Sequence, residues 1–427
     1  MGEICRKVSK LCLLAVAAGI FFTAGGAAAQ GTSGRMPAGT SVGGVDVSGL
    51  RLGEACAAVG EALRHELDGY TLTVRAGGRK YVFRPPEIGW RADIAGAAER
   101  ALREGGAQPL EKERVLVRED AVLARICADV YRKSAPALAL FDAEAETPFT
   151  FVRERVGQYV DGAALKEEIG EALRDGRREV RARLVRVTPA RTLAKVRASA
   201  SLLASYTTHY AESNAGRAHN VALAASRLNG RAIAPGEVLS FNACAGARTE
   251  GNGYRAAPVI LEGKFVSGVG GGVCQVSTTL YNAALLAGLS VAEYHPHSLA
   301  VGYVPPSRDA MVNGSACDLK LRNATGFPVR IVARAEGGAL TVRVYGQRSP
   351  VSYAIESEVV ERIPPPDPQV STEEGVALRT PKEGVRSVAY LVRREPGKPE
   401  VRTRLRRDSY APVRGVVRPS VQEEGAA

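Results

Sequence analysis

Gly268–Leu289, GVGGGVCQVSTTLYNAALLAGL, carries four glycines into a cysteine and then into an apolar pattern of helical period. Val276, Leu280, Ala284 and Ala287 recur at i, i+4, i+8 and i+11, which marks one buried face of an α-helix. The first turn of that helix contains or directly follows Cys274. Unpaired N–H groups and the macrodipole at a helix start favour a thiolate over a thiol, the form in which cysteine is nucleophilic near neutral pH. The glycines leave the approach to such a sulfur open.

The 427-residue chain is too long for one ordinary core and predicts several domains. Residues 1–29 read as a signal peptide: Arg6, Lys7 and Lys10 precede an apolar run from Leu11 to Thr23, then the small-residue site Ala27-Ala28-Ala29. The expected localisation is therefore outside the cytoplasm, in the cell envelope or extracellular. Membrane contact is expected only through this N-terminal segment where it is not cleaved. The formal charge of +12 falls to about +10 without the segment. For an exported chain this basicity implies peptidoglycan or another anionic cell-wall polymer as partner, and no nucleic acid.

Of seven cysteines two lie in the leader, and Cys56, Cys127, Cys244, Cys274 and Cys317 remain. Five is odd, so at least one stays free or pairs between chains. Pairs kept within one domain predict Cys56 with Cys127 and Cys244 with Cys317. No CxxC pair points to structural zinc, and no cofactor is expected.

Residues 30–42 form a Gly/Ser/Thr-rich linker, followed by GGVDVSGL and a helix with inner face Leu52, Cys56, Val59 and Leu63. Tyr81–Asp93 and Phe149–Asp161 echo one another at Phe83/Phe151, Gly89/Gly157 and Asp93/Asp161, and each precedes a helix ending in LREG or LRDG. One strand, glycine turn, Asp cap and helix unit is thus expected twice within residues 43–190. Neither copy holds a nucleophile with a base nearby. Trp90 reads as core, and His65, His209 and His219 as structural or surface residues. Together GGVDVSGL and the paired units resemble the YoaR-like peptidoglycan-binding domain, which implies a wall-binding role for this half.

The blocks PGEVLSFN, GYRAAPVI, GGGVCQVSTTLYNAALLAGL, EYHPHS, RDA and DLKLRN follow in one order across residues 200–347. This arrangement resembles the VanW domain, named from glycopeptide-resistance clusters. It implies a cell-envelope role linked to wall maintenance or vancomycin resistance, without specifying a reaction. Tyr294 stands where the family usually has Arg, and Ser307 where it often has Gly. Residues 348–380 read as a Pro-rich linker, 381–417 as a small β module with nothing catalytic on it, and 418–427 as a disordered tail. The fold class expected is α+β and multidomain.

A cysteine nucleophile needs a base within hydrogen-bond reach and a group that orients the base. His295 and His297 are the candidate bases; Pro296 makes the segment extended, and alternate residues then share a face. Asp309, Asp318 or Asn323 could orient the base, with Asp309 taken into the candidate catalytic set. Gly270, Gly271 and Gly272 amides, or Gln275, are candidate binding groups for an oxyanion. Three readings of Cys274 stay open from sequence: a thiol enzyme acting on peptidoglycan stem peptides by acyl transfer, a packed cysteine in a wall-binding protein, and a zinc ligand with the two histidines.

Overall fold

The computed structural model describes residues 20–21, 34–261, 264–314, 316–373 and 378–418. The expected signal peptide lies outside these apart from Ile20 and Phe21, and the expected tail apart from Arg418. The fold is mixed α+β with many small sheets. The described residues divide into two compact units, one of those up to 136 with 154–190, the other of 137–153 with those from 191 onward.

In the first unit α1 (Leu52–His65), α2 (Ile94–Glu104), α3 (Glu119–Val130) and α4 (Gly162–Arg174) surround short sheets. Leu72–Ala76 is central in one sheet, antiparallel to Arg79–Phe83 and parallel to Glu179–Arg181. The core joins Val59 and Leu63 of α1 to Leu72, Phe83, Ile88, Ile126 and Ile169. Trp90 is buried, and its indole N–H donates to the Leu63 carbonyl at 2.8 Å. Asp93 and Asp161 each accept a backbone N–H, from Gly96 and Ala164, and so cap α2 and α4. The strands before them differ. Arg79–Phe83 pairs with Leu72–Ala76, whereas Phe149–Val152 pairs with Leu138–Phe141 and belongs to the second unit. Directly before the caps Gly89 and Gly157 lie in strands, Ile88–Ala92 and Gly157–Val160, and not in the expected turn, so the two segments share strand, cap and helix there and differ in the earlier strand.

The second unit is built on a four-stranded antiparallel sheet in the order Ser201–His209, Ala339–Gly346, Val329–Glu336, Ala232–Ile233. Alternation in Ala339–Gly346 buries Leu340, Val342 and Val344 in a core shared with α6 (Ala215–Leu228) and α8 (Val273–Leu286). The intervening Thr341, Arg343 and Tyr345 line a separate cavity with Phe149 and Phe151. Two further helices precede α8: α5 (Leu193–Ser199), capped by Thr192 within the stretch read as linker, and α7 (Phe241–Ala245), capped by Ser240.

The segment expected to be a linker from 348 to 380 contains a twelve-residue strand, Ser352–Ile363. It pairs with Gly384–Arg394, which pairs in turn with Val401–Tyr410. Proline ends this strand and does not fill it: the Pro run starts at Pro364, directly after the last paired residue.

All five described cysteines are free, which overturns both expected disulfides. The helix-borne thiols face other neighbours: Cys56 meets the charge of Glu99, and Cys127 approaches the Val160 carbonyl at 4.0 Å. Cys244 and Cys317 lie on neighbouring segments joined through Asn242, yet both thiols are free, the first near Arg231 and Asp318 and the second near Glu293.

Twelve of the fourteen residues of α8 are buried, so its entry is tightly constrained. A Cβ on Gly271 would lie 2.6 Å from the Pro258 carbonyl oxygen and 2.9 Å from the Ala257 carbonyl carbon, both rigid backbone. Gly271→Ala should lower stability by about 1–3 kcal/mol through overpacking, read as a lower denaturant midpoint with an unchanged slope. A neutral midpoint would show that the hairpin Ala256–Leu261/Lys264–Val269 yields easily.

Candidate active site

Cys274 is the second residue of α8, and Gly272 caps the helix with φ +106°. Glycine is required here for two reasons. Gly270 and Gly272 take positive φ, and arginine stems pass close to both: added Cβ atoms would lie 2.8 Å from Arg248 Cβ and 3.0 Å from Arg217 Cγ. The triple glycine thus seats the turn between two arginines. Within the first turn Val273 and Gln275 donate to Gly270 and Gly272 carbonyls, while the Cys274 N–H has no partner among the described residues.

The polar residues of α8 point inward, against the usual expectation for a helix. Ser277 donates to the Ala310 carbonyl at 2.6 Å, Thr278 accepts the Ala310 N–H at 2.9 Å, and Asn282 exchanges hydrogen bonds with Arg308. These bonds fasten residues 308–310 along the helix and bring Asp309 to the cysteine end. The helix face read from Val276, Leu280 and Ala284 is fully buried as well.

Asp309 is 1% exposed, and its Oδ2 accepts both the backbone N–H and the Nδ1 of His297, each at 2.7 Å. The same His297 ring lies close enough to Cys274 for each to shift the other's titration, while the thiol donates a hydrogen bond to the Val312 carbonyl at 3.3 Å. With Nδ1 held by Asp309, Nε2 is the nitrogen left for sulfur. The structure therefore brings Cys274, His297 and Asp309 into one chain of contacts, with the nucleophile partly exposed and the other two buried.

The other candidates lie elsewhere. His295 faces Glu293 at 3.1 Å, beside Lys320, and does not share a face with His297. Asp318 caps α7 by accepting Asn242 N–H and the Ser240 hydroxyl, and Asn323 clamps a turn through the Ile233 and Phe327 carbonyls. Both Gln275 amide hydrogens are taken, by Thr208 Oγ1 and the His209 carbonyl, and its oxygen accepts from Arg217, so none is left for an oxyanion. The Gly270 N–H donates to the Arg255 carbonyl. Among the described residues no group of three or more His, Cys, Asp and Glu side chains is arranged to hold a metal ion.

Several contributors escaped the sequence reading. Arg406 and Tyr410, on the last long strand, both reach Asp309. Arg406 donates through Nη2 to Oδ1 at 2.8 Å and through Nη1 to the main-chain carbonyl at 2.6 Å, while its Nε holds Asp408. Tyr410 donates its hydroxyl to Oδ1 at 2.5 Å and accepts the Ser307 N–H at 2.7 Å. Ser307 has φ +61°, a region that favours glycine, which accounts for the Gly that the VanW resemblance leads one to expect there. Tyr294, in the place of the family's Arg, lies under the Arg406 guanidinium, 4.6 Å from ring centroid to Cζ. Tyr303 joins from the other side, close enough to feel the charge of Cys274.

Electrostatics favour an ion pair. Burial pushes the Cys274 thiol up, and its hydrogen bond to the Val312 carbonyl holds the proton on sulfur, but the neighbouring His297 and the Arg248 charge bring its pKa below the ordinary value. Burial pulls His297 down, yet Asp309 and Cys274 raise it to about 9. Asp309 is raised by burial and lowered to about 2 by His297, Arg406 and Tyr410.

The family model described as VanW like protein matches residues 216–345, a span that includes Cys274, His297 and Asp309. This stretch is a VanW-family domain. The chain is 40% identical over 147 residues to the "Uncharacterized protein YoaR" of Bacillus subtilis (strain 168), covering 34% of this chain and 48% of that protein. It is 29% identical over 136 residues to the "Vancomycin B-type resistance protein VanW" of Enterococcus faecalis (strain ATCC 700802 / V583), covering 31% and 50%. The chain thus spans about half the length of the curated relatives it matches. No solved structure matches it. Arg406 and Tyr410 lie outside the matched VanW domain although they complete its carboxylate.

In a titration followed by NMR, the His297 ring should stay protonated until the pH rises through about 9. Asp309→Asn should drop that midpoint and destabilise the fold by about 1–3 kcal/mol, since buried Arg406 would keep only Asp408 as counter-charge. Asp309, depressed to about 2 from 3.8, contributes stability above pH 3.8 that is lost as pH falls through 2. A His297 midpoint near 6.5 in the unaltered protein would refute this network.

Proposed function

We propose that the chain is an exported cell-envelope enzyme that acts on peptidoglycan stem peptides by thiol acyl transfer. The observation that carries this reading is the Cys274–His297–Asp309 arrangement, in which a half-buried cysteine at a helix start lies beside a histidine fixed by a buried carboxylate. As an ion pair the thiolate adds to the substrate carbonyl carbon, and the imidazolium gives its Nε2 proton to the departing amine as the peptide bond breaks. A thioester on Cys274 results. Water or an acceptor amine then attacks it, loses a proton to His297 and releases the sulfur. The open Cys274 N–H and the protonated Tyr303 hydroxyl are the donors available to a developing oxyanion.

The envelope setting rests on the leader-like N-terminus, the basic charge and the YoaR-like features of residues 43–190. The relative named as a vancomycin resistance protein supports the same setting. Peptidoglycan binding is assigned to the first half and acyl transfer to the second. No helix among the described residues is long and apolar enough to cross a membrane.

Iodoacetamide should label Cys274 appreciably at pH 6, where an ordinary thiol of pKa near 8.5 is almost wholly protonated. His297→Ala should slow labelling by about tenfold or more, and His295→Ala should leave it unchanged. Cys274→Ser should abolish peptide cleavage or exchange while sparing sacculus retention at about 0.5 M salt, where screening extends only about 4 Å. Slow labelling below pH 8 that neither histidine affects would reduce Cys274 to a packed residue and leave a wall-binding accessory role.

A further inference from the structure

Beside the nucleophile opens a cavity of about 420 Å³, lined by Arg217, Gln275, Tyr303, His209 and Tyr210 among nine residues, none of them acidic. Cys274 itself is not among the lining residues, but its neighbours are. Gln275 follows Cys274 in α8, and Tyr303 feels the charges of both Cys274 and Arg217.

Arg217 is held in place yet electrically unmatched. Its amide caps onto Asn214, its stem runs along Gly272, and its Nη2 donates to Gln275 Oε1 at 2.7 Å. Gln275 is itself only 1% exposed and locked by Thr208 and the His209 carbonyl. Among the described residues Arg217 forms no ion pair, and its Nε and Nη1 make no hydrogen bond. This contrasts with Arg406, whose charge is matched by Asp309 and Asp408. The His209 ring on the same rim also has no hydrogen-bond partner among the described residues.

A fixed guanidinium with free forked donors in a water-reachable cavity without carboxylates recognises a carboxylate from outside the chain. We propose that the Arg217 cavity is a carboxylate subsite, which selects acyl donors bearing a free carboxylate on the residue adjoining the scissile carbonyl. Arg217 binds the carboxylate, and the Tyr303 and Tyr210 hydroxyls line its approach. The inference rests on the thiol acyl-transfer reading and narrows its substrates to peptides with a terminal or side-chain carboxylate at that position.

Two measurements on the full chain test it. In the first, Cys274 is alkylated with bromoacetyl-alanine or bromoacetyl-alaninamide, and the rate ratio is normalised to that with glutathione. The acid should be favoured by about tenfold. Arg217→Met should erase the preference, Arg217→Lys should keep part of it, and Arg343→Met should leave it intact. The α-amide of bromoacetyl-aspartic acid, whose single carboxylate is in the side chain, distinguishes the source of the recognised group. In the second, Cys274→Ala is titrated with N-acetylalanine or its amide while the His209 ring resonances are followed. The acid alone should shift them, a readout that needs no reactive thiol. Slow iodoacetamide labelling together with a His209 response to the acid would defeat the enzyme reading and retain the subsite. Equal rates for acid and amide in the unaltered protein, or no His209 response to the acid, would overturn the subsite.

Discussion

A carboxylate buried to 1% exposure governs the second unit: Asp309 carries a negative charge in a place from which water is excluded. Such a charge is tolerable only when most of its lone pairs are met by donors, preferably charged ones. Four hydrogen bonds converge on the carboxylate, two from His297, one from Arg406 and one from Tyr410, and Arg406 adds a fifth to the main-chain carbonyl. Their number explains why the segment is fastened by Ser277, Thr278 and Asn282 along α8, since a small displacement would unmatch several of them together. The orientation of His297, and through it the state of the Cys274 sulfur, follows from that anchoring.

Legibility from sequence divides along physical lines. The apolar period of Val276, Leu280 and Ala284 reads directly, because burial of aliphatic side chains leaves a spacing behind. Asp93 and Asp161 read as caps because the capping bond is local, three residues away. Gln275, Ser277, Thr278, Thr279 and Asn282 resist reading: a polar residue in a helix normally faces water, and only long-range partners such as Thr208 and Ala310 reveal otherwise. His295 and His297 stand two residues apart in an extended segment, and sequence alone gives no reason to separate them. Their different partners, Glu293 and Asp309, do so. The expected disulfides fail for a related reason. A cysteine count constrains parity, whereas pairing depends on side-chain direction.

Arg406, Asp408 and Tyr410 illustrate the limit most clearly. Their spacing places them on one face of the strand Val401–Tyr410, yet a charged face is ordinarily the wet one. Here it is the dry one, with Arg406 at 4% exposure. Tyr294 and Tyr281 supply flat surfaces for the guanidinium, and Asp309 and Asp408 balance its charge.

That same strand has a consequence for the order in which the molecule matures. Arg406 is separated from Asp309 by 97 residues and Tyr410 by 101, so their contacts are among the later ones a growing chain can make. Until Val401–Tyr410 docks, Asp309 lacks its strongest counter-charge, His297 has a weaker anchor, and the thiol stays closer to its protonated form. The Cys274–His297 ion pair of the proposed mechanism is therefore complete only once Val401–Tyr410 is in place.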